Sequence, residues 1–389
     1  MTTPERQEPP KITEEYFLDT ATDVEAEAEN DDALPDIARP WNPEQIRVNT
    51  RQFSLRNALD MIDDQSLELA PDFQRGRVWK LGQKSRLIES VLLQIPLPAF
   101  YFAEDTDGFM RVVDGLQRLS TIHDFVRGGP GAGFALKGLE YLDTTVEGKQ
   151  FADLPAPWKR RINNAQIVAH VIDPTTPTDV MYDIFKRINT GGTPLSAQEI
   201  RHCMSGERSR AVLKEMTSTA AFNKATNNLG GHIRMNDREM ALRFAAFWLM
   251  GTGAYAKYSA MEPFLQHTTY LLDTESEVSD ERIDKLKRAF GAAMENARML
   301  FGEYAFRKWP VDANGKNPIN RALFEAWSIT LADYHPDDFR HRRQDIVDAA
   351  RDLMTHDYQY LEAITSSTGD VRRVKYRFEA TARAAEAGE

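Results

Sequence analysis

The sequence predicts an α+β protein in which an α/β domain precedes an all-helical domain. Three observations favour this class. Between residues 41 and 205, short β-branched segments alternate with segments whose apolar residues recur at helical spacing. From residue 206 to about 380 the apolar spacing is almost entirely helical. The length of 389 residues leaves room for two or three domains. We therefore assign 41–205 to the α/β domain and 206–380 to the helical domain, with disordered tails at 1–40 and 381–389.

Charge and composition are those of a globular protein with an acidic N-terminal segment. The net charge is −11, and residues 1–40 alone carry twelve acidic and three basic residues. Within this segment, the run from Asp23 to Asp32 is predicted to be a solvated tail, or alternatively a DNA mimic or an intramolecular cover for a basic groove. The single cysteine, Cys203, excludes an internal disulfide framework and a cysteine-based zinc site. Apolar runs are too short to span a membrane and no signal peptide is expected, so we predict a cytoplasmic protein without a membrane partner.

The first half of the chain is predicted to alternate between strands and helices. Ser54 is expected to cap a helix, and the turn 105–108 to join two strands as a hairpin. His170, on a later strand, is interpreted as a structural histidine. The predicted strands are 46–50, 99–102, 110–113 and 166–172, and the predicted helices are 54–62, 84–93, 154–162 and 180–188.

Helical spacing dominates the second half. Ser196 and Glu199 form a capping box that should begin a helix. Further helices are predicted near 208–217, 236–251, 258–272, 280–305, 318–332, 342–355 and 357–364.

The central stretch is 111–122, which changes from an apolar β-branched run to helical spacing at Asp114 and Gly115. This change predicts a strand, a sharp turn and a helix, so that backbone N–H groups and the positive end of the helix dipole meet at the turn. Asp114 can hold a metal ion or orient a water, Gln117 can donate and accept, and Arg118 can bind a phosphate with two N–H groups. The plainer interpretation is an ordinary turn with a structural arginine.

Two further segments carry residues suited to a nucleotide. Gln74 and Arg75 precede Trp79, so phosphate pairing and stacking could combine there, although Arg75 could instead pair with a carboxylate and Trp79 fill the core. Lys186, Arg187 and Asn189 lead into a Gly-Gly loop between two helices, where backbone can approach a ligand closely. The plain alternative for these three is a helical connector with a surface arginine.

With these motifs in view, the sequence resembles the family known as domain of unknown function 262, over roughly 45–380. Its signature Asp-Gly-Gln-Gln-Arg corresponds to 114–118, where Leu116 replaces the first glutamine. The segments that carry the resemblance, in chain order, are 71–79, 85–90, 95–98, 113–119, 185–192, 195–201, 234–244 and 364–378.

The resemblance implies a fold like that of ParB and sulfiredoxin for the α/β domain, with a helical region behind it. In related proteins, such as modification-dependent restriction systems of the GmrSD type, this module is linked to nucleoside triphosphate hydrolysis that controls DNA cleavage. Longer members carry a His-Asn-His-like nuclease domain, which is not expected here. By resemblance we expect an NTP-binding, NTP-hydrolysing sensor or regulatory subunit of a prokaryotic anti-phage defence system acting on DNA. A separately encoded nuclease or defence subunit is the expected partner, and self-association is left open.

The predicted site places a nucleoside triphosphate and Mg²⁺ between the Asp114 turn and the Gln74–Arg75 segment. Asp114, Gln117 and Arg118 are the predicted catalytic residues, with Asp114 as the metal ligand. Arg118 and Arg75 would take phosphate charge in the transition state. The predicted nucleotide-binding residues are Gln74, Arg75, Trp79, Gly115, Lys186, Arg187 and Asn189.

Three alternatives remain open. The same site could bind a ligand without turnover and act as a ligand-gated DNA-binding switch. The chain could be a nuclease of its own, which we rank low because the sequence contains no second cluster of metal ligands. It could also serve as a scaffold or neutralising partner of a toxic nuclease.

Overall fold

A computed structural model describes residues 12–17, 20–27, 46–69, 79–128, 133–188, 195–258, 260–339 and 341–389. The chain divides between Met204 and Ser205 into two compact units. Residues 46–204 form the α/β unit, and residues 205–389 form the helical unit together with 12–17 and 20–27. The predicted α+β class is confirmed, because a mixed sheet with helices is followed by a helical region.

An N-terminal hairpin corrects the prediction of a disordered tail over 1–40. Strands β1 (Glu14–Phe17) and β2 (Thr20–Glu25) pair antiparallel. Val24 is fully buried in the core of the helical unit, and its neighbours pair with the segment around Ile319. The tail prediction is therefore wrong for residues 14–25, because partners distant in sequence order this short acidic segment.

The α/β unit follows the predicted order of elements. Its β6, Gly115 and α3 confirm the predicted strand, turn and helix. Its elements are β3 (Val48–Ser54), α1 (Leu55–Asp63), β4 (Leu67–Glu68), α2 (Leu81–Leu92), β5 (Phe100–Glu104), β6 (Met110–Asp114), α3 (Leu116–Arg127), α4 (Asp143–Val146), a 3-10 turn (Phe151–Asp153), α5 (Ala156–Asn164), β7 (Gln166–Ile172), α6 (Thr178–Ile188) and α7 (Ala197–Met204).

Local capping explains where two of these helices begin. The Ser54 side chain accepts from the Asn57 N–H at 3.2 Å and starts α1. Before α7, the N–H of Glu199 donates to Ser196 Oγ at 3.1 Å, and the N–H of Ser196 donates to Glu199 Oε2 at 2.6 Å. Both caps were predicted from the sequence and are confirmed.

The five-stranded sheet has the order β3-β7-β5-β6-β4. Pairing along this order is antiparallel, parallel, antiparallel and parallel. One face carries Phe102 and Val171 into the larger hydrophobic cluster of this unit. The other face carries Ile172 into a cluster with Phe185 of α6 and Ile200 of α7. The sheet is therefore covered on both faces, and β6 delivers its last residue to the beginning of α3.

The helical unit is built around an aromatic core. Phe247 contacts Phe264 and Phe378, with ring centroids 5.1 and 4.8 Å apart, and Phe290 contacts Phe244 at 5.1 Å. Its helices are α8 (Glu207–Thr217), α9 (Ala220–Thr226), α10 (Asn236–Tyr255), α11 (Met261–Asp273), α12 (Asp280–Phe301), α13 (Arg321–Leu331), α14 (Arg343–His356), α15 (Tyr358–Thr365) and α16 (Val371–Ala385), with 3-10 turns at Gly302–Tyr304 and Pro336–Phe339.

The last helix corrects the predicted C-terminal tail. Helix α16 extends to Ala385, and Phe378, Ala384 and Ala385 are buried. The prediction of disorder from 381 is therefore wrong for 381–385. Within the described part of the chain, none of the helices has the length and apolar character that crossing a membrane requires.

Candidate functional site

The candidate site is the turn between β6 and α3. Asp114 is the last residue of β6, and Gly115 follows with φ 97° and ψ 7°, in the left-handed region. A Cβ atom at position 115 would lie 2.2 Å from Cδ1 of Phe100. A side chain fits neither this backbone conformation nor this space, so glycine is required for the sharp turn.

Arg118 links the turn to the start of β5. Its Nη2 donates to Asp114 Oδ2 at 3.0 Å and to the Ala99 carbonyl at 3.1 Å, and its Nη1 donates to the Pro98 carbonyl. The guanidinium lies over the Phe100 ring, with Cζ 4.2 Å from the ring centroid. These contacts hold Arg118 against the sheet, and through it they orient the Asp114 carboxylate.

Burial distinguishes the two members of this ion pair. The Arg118 side chain is 13% exposed, whereas that of Asp114 is 34% exposed. Burial lowers the pKa of Arg118, and the charge of Asp114 acts in the opposite direction without fully offsetting it. An arginine remains protonated at neutral pH even so. The solvent-facing member of the pair is therefore the carboxylate.

The beginning of α3 adds backbone donors. In the first turn of an α-helix the N–H groups lack intrahelical acceptors, and here this turn contains Leu116, Gln117 and Arg118. Gln117 is half-buried and belongs to the same turn. A helix of twelve residues also presents the positive end of its dipole at this point. A carboxylate beside backbone donors suits a metal–phosphate ligand better than either feature alone.

A row of polar side chains crosses the sheet toward Asp114, and sequence reasoning missed it. Strand register pairs Asp114 with Tyr101, Tyr101 with His170 and His170 with Thr50. The Tyr101 and His170 rings lie 5.0 Å apart, and Thr50 Oγ1 is 3.0 Å from His170 Nδ1. The expectation of a structural histidine is compatible with these contacts. Only the pairing of strands distant in sequence reveals the row, so no local signal could have indicated it.

The other predicted nucleotide-binding residues are placed only in part. Gln74, Arg75 and Asn189 lie outside the described residues, as does the side chain of Lys186. Arg187 is exposed near the end of α6. The contacts of these residues with a nucleotide stay predictions.

Trp79 packs against the larger hydrophobic cluster of the α/β unit. This packing matches the plain alternative that it fills the core. Its stacking on a nucleotide stays a prediction.

The site offers one carboxylate for a metal ion. Over the described residues, no three His, Cys, Asp or Glu side chains are grouped as metal ligands. Mg²⁺ commonly takes one or two carboxylates, several waters and substrate phosphates. Asp114 therefore fits the protein's share of a metal–nucleotide complex.

Comparison with known proteins identifies the domain that contains this turn. Residues 55–204 match the family model of the N-terminal domain of the GmrSD restriction endonuclease. No curated protein and no solved structure matches the chain. The predicted likeness to the ParB and sulfiredoxin fold thus stays a prediction. The matched segment begins with α1, ends with α7 and includes the Asp114 turn. Residues 55–204 therefore form a domain of the GmrSD restriction endonuclease N-terminal family.

Proposed function

We propose that the Asp114 turn binds and hydrolyses a nucleoside triphosphate with Mg²⁺, within a restriction-like anti-phage system that acts on DNA. The family of residues 55–204 supports the restriction context, because its description is that of a restriction endonuclease domain. The observation that carries the nucleotide assignment is the half-exposed Asp114 carboxylate held beside the beginning of α3. Sensing or regulation, with cleavage by a separate subunit, is part of the same proposal.

Each residue of the turn has a distinct role in this proposal. Asp114 holds the metal or orients the attacking water, and the first-turn N–H groups of α3 face phosphate oxygens. Gln117 orients the water or a phosphate oxygen through its amide. Mg²⁺, when bound with the nucleotide, neutralises developing charge on the phosphates.

Arg118 is better suited to positioning than to direct phosphate binding. Two of its nitrogens already donate to Pro98, Ala99 and Asp114. A phosphate contact through those N–H groups would require these bonds to break. Arg118→Lys should therefore lower kcat while leaving KM for the nucleotide nearly unchanged. Lysine keeps the positive charge but lacks the paired N–H donors of the guanidinium group. A large increase in KM at constant kcat would instead indicate direct phosphate binding.

The decisive experiment compares phosphate release by wild type, Asp114→Asn and Asp153→Asn. Each of the four ribonucleoside triphosphates is tested with Mg²⁺, with and without DNA. Asp153 is exposed in the same unit and serves as the matched control. We expect Asp114→Asn to reduce turnover by at least about 100-fold and the control to retain it. Full turnover in Asp114→Asn would contradict the assignment.

Binding without turnover is the second candidate function. It is favoured because Arg118 already donates to the Ala99 carbonyl and to Asp114. Fewer cationic N–H groups are therefore free at the turn to stabilise phosphate charge in a transition state. In that case calorimetry would detect nucleotide binding that depends on Asp114, while no phosphate is released. Binding would then change DNA affinity or oligomeric state, as a ligand-gated switch requires.

A further inference from the structure

Four acidic side chains of the N-terminal hairpin lie against cations of the helical unit. We call this set of cations, with two neighbouring amides, the basic groove. It consists of Arg243, Arg307, Lys308, Arg321, Asn236 and Asn320. The groove belongs to the helical unit and contains none of the residues of the Asp114 turn.

The contacts of Asp23 and Glu25 have the geometry of charge-assisted hydrogen bonds. Both Asp23 oxygens accept from Arg307, each at 2.6 Å. Glu25 accepts from Lys308 Nζ at 2.5 Å and from Asn320 Nδ2 at 3.0 Å. Each carboxylate thus meets a cation directly, and Glu25 also meets a neutral amide donor. The same donor types bind phosphate oxygens.

Glu15 and Glu27 repeat this arrangement. Glu15 forms an ion pair with Arg321, with Nη2 2.8 Å from Oε1, and accepts from Asn236 Nδ2 at 3.0 Å. Glu27 accepts from Arg243 at 2.8 and 3.2 Å. Burial acts to raise the pKa of Glu27, but Arg243 and Arg321 outweigh it and hold this pKa below its usual value. The groove therefore selects the anionic form of its occupant.

Without the hairpin, the buried charges of this region would not balance. With the hairpin in place, five cations are each at most 6% exposed, and among the described residues they contact only Glu239 and Glu325 from the helices, which leaves three positive charges for the hairpin to balance. The cations are Arg243, Arg307, Lys308, Arg321 and Arg377. Because buried charge is costly unless paired, the groove requires an anionic occupant.

Three of the four carboxylates, at positions 23, 25 and 27, lie on β2 and its continuation, and Glu15 lies on β1. The N–H of Glu25 donates to the Ile319 carbonyl, and the N–H of Ile319 donates to the Asp23 carbonyl, both at 2.8 Å. Asp23 and Phe306, next to Arg307, have φ values of 58° and 62°, in the left-handed region. Residues 23, 25 and 27 are each two positions apart, at most about 7 Å along an extended chain. Successive phosphates of an extended nucleic acid strand have similar spacing.

We propose that the basic groove binds the phosphodiester backbone of single-stranded nucleic acid, and that the N-terminal hairpin is its internal competitor. The paired N–H groups of an arginine side chain can bind a phosphate as they bind a carboxylate. The carboxylates at 23, 25 and 27 follow one another along one chain, as phosphates do along one nucleic acid strand. Strain at Asp23 favours release when a competing polyanion arrives. This inference goes beyond the proposed nucleotide site, which lies in the other unit.

The test neutralises the hairpin without removing it. Glu15, Asp23 and Glu27 have side chains 30%, 41% and 31% exposed, so Glu15→Gln/Asp23→Asn/Glu27→Gln leaves the buried Glu25 and Val24 in place. Binding of labelled oligothymidylate is measured by anisotropy over a range of salt. We expect affinity at least about 10-fold above wild type, and a salt dependence steeper by about 0.7 for each freed cation.

A matched variant distinguishes an effect of the groove on binding from an effect of the protein's net charge. Glu275→Gln/Glu277→Gln/Asp312→Asn changes three exposed acidic residues of the same unit and alters net charge equally. This control should bind as wild type does. An equal gain in the control, or no gain in a hairpin variant with unchanged circular dichroism, would overturn the proposal. Equal binding of duplex DNA, or displacement of the hairpin by polyglutamate but not by oligothymidylate, would also overturn it.

Hydrogen exchange of the wild type covers the case in which the hairpin variant does not fold. Saturating oligothymidylate should increase exchange in peptides that contain 12–27, because the strand displaces the hairpin. Unchanged exchange there would overturn the proposal. The assay contains no nucleotide, and Asp114→Asn should behave as wild type in it. Its outcome is therefore independent of the proposed hydrolysis.

Discussion

Gly115 connects backbone conformation to the orientation of the candidate catalytic carboxylate. Alanine there would adopt a left-handed backbone and would place its Cβ 2.2 Å from Phe100 Cδ1 and 3.1 Å from Arg118 Nη2. We expect Gly115→Ala to lower the free energy of unfolding by about 2–4 kcal/mol, since strain and overpacking add. Denaturant unfolding measures the loss.

Gly108 provides the control for this substitution. Its φ is also positive, at 85°, but a Cβ there would meet no atom within 4 Å. Gly108→Ala should therefore cost only the conformational strain, about 1–2 kcal/mol. Equal losses in the free energy of unfolding for the two variants would show that contact with Phe100 does not contribute to the effect of Gly115→Ala.

At the residue scale, the sequence predicted the position of the turn but not the contacts of its residues. The Asp-Gly break and the change of spacing located the Asp114 turn, because both signals are local. Arg118 donates to the carbonyls of Pro98 and Ala99 because β5 pairs with β6. Local sequence patterns do not encode this pairing. The approach of His170 to Tyr101 has the same cause, since it follows from strand register.

Among the elements, α2 stabilises a distant loop through one buried carboxylate. Glu89 accepts backbone N–H groups of Glu140, Tyr141 and Leu142 at 2.7–3.1 Å. Burial acts to raise the pKa of Glu89, but these hydrogen bonds and Arg86 outweigh it, so the pKa lies below its usual 4.5. The ionised side chain therefore ties the loop to α2.

The stability conferred by Glu89 should depend on pH. Because the folded pKa is depressed, the unfolded chain binds more protons near pH 4, and the contribution is present above pH 4.5 and lost below it. Glu89→Gln should cost about 1–3 kcal/mol at pH 7 and less as pH falls below 4.5. Urea unfolding of both proteins at several pH values measures the difference. A difference that is constant with pH would contradict this account.

The N-terminal hairpin shows why element prediction failed in an acidic segment. Residues 14–25 carry few large apolar side chains, so composition alone indicates disorder. Their order comes from Arg307, Lys308 and Arg321, which lie nearly three hundred residues away in sequence. Helix α1 was predictable because Ser54 and its apolar spacing are adjacent in the chain.

The whole molecule consists of two units with separate hydrophobic clusters in its described residues. One cluster lies entirely in the helical unit, and the other two lie within 46–204. The helical unit also contains a buried ionic centre, in which Glu325 is fully buried and bonds to Arg243 at 2.6 Å and to Arg377. Destabilising this centre should therefore affect one unit only.

Glu325→Gln tests this separation in the full chain. Removing one partner of a buried ionic pair costs about 3–5 kcal/mol, because the buried Arg377 loses its counter-ion and Arg243 keeps only Glu27 and Glu239. Hydrogen exchange should increase in peptides from α10, α13 and α16 and stay unchanged in β5 and β7. The exposed pair of Glu281 with Lys285 supplies the control, since solvent screens this pair and Glu281→Gln should leave stability nearly unchanged. Equal loss of protection in β5 and β7 would show that the two units unfold as one, and a change at Asp114 would then be transmitted to the basic groove through global stability.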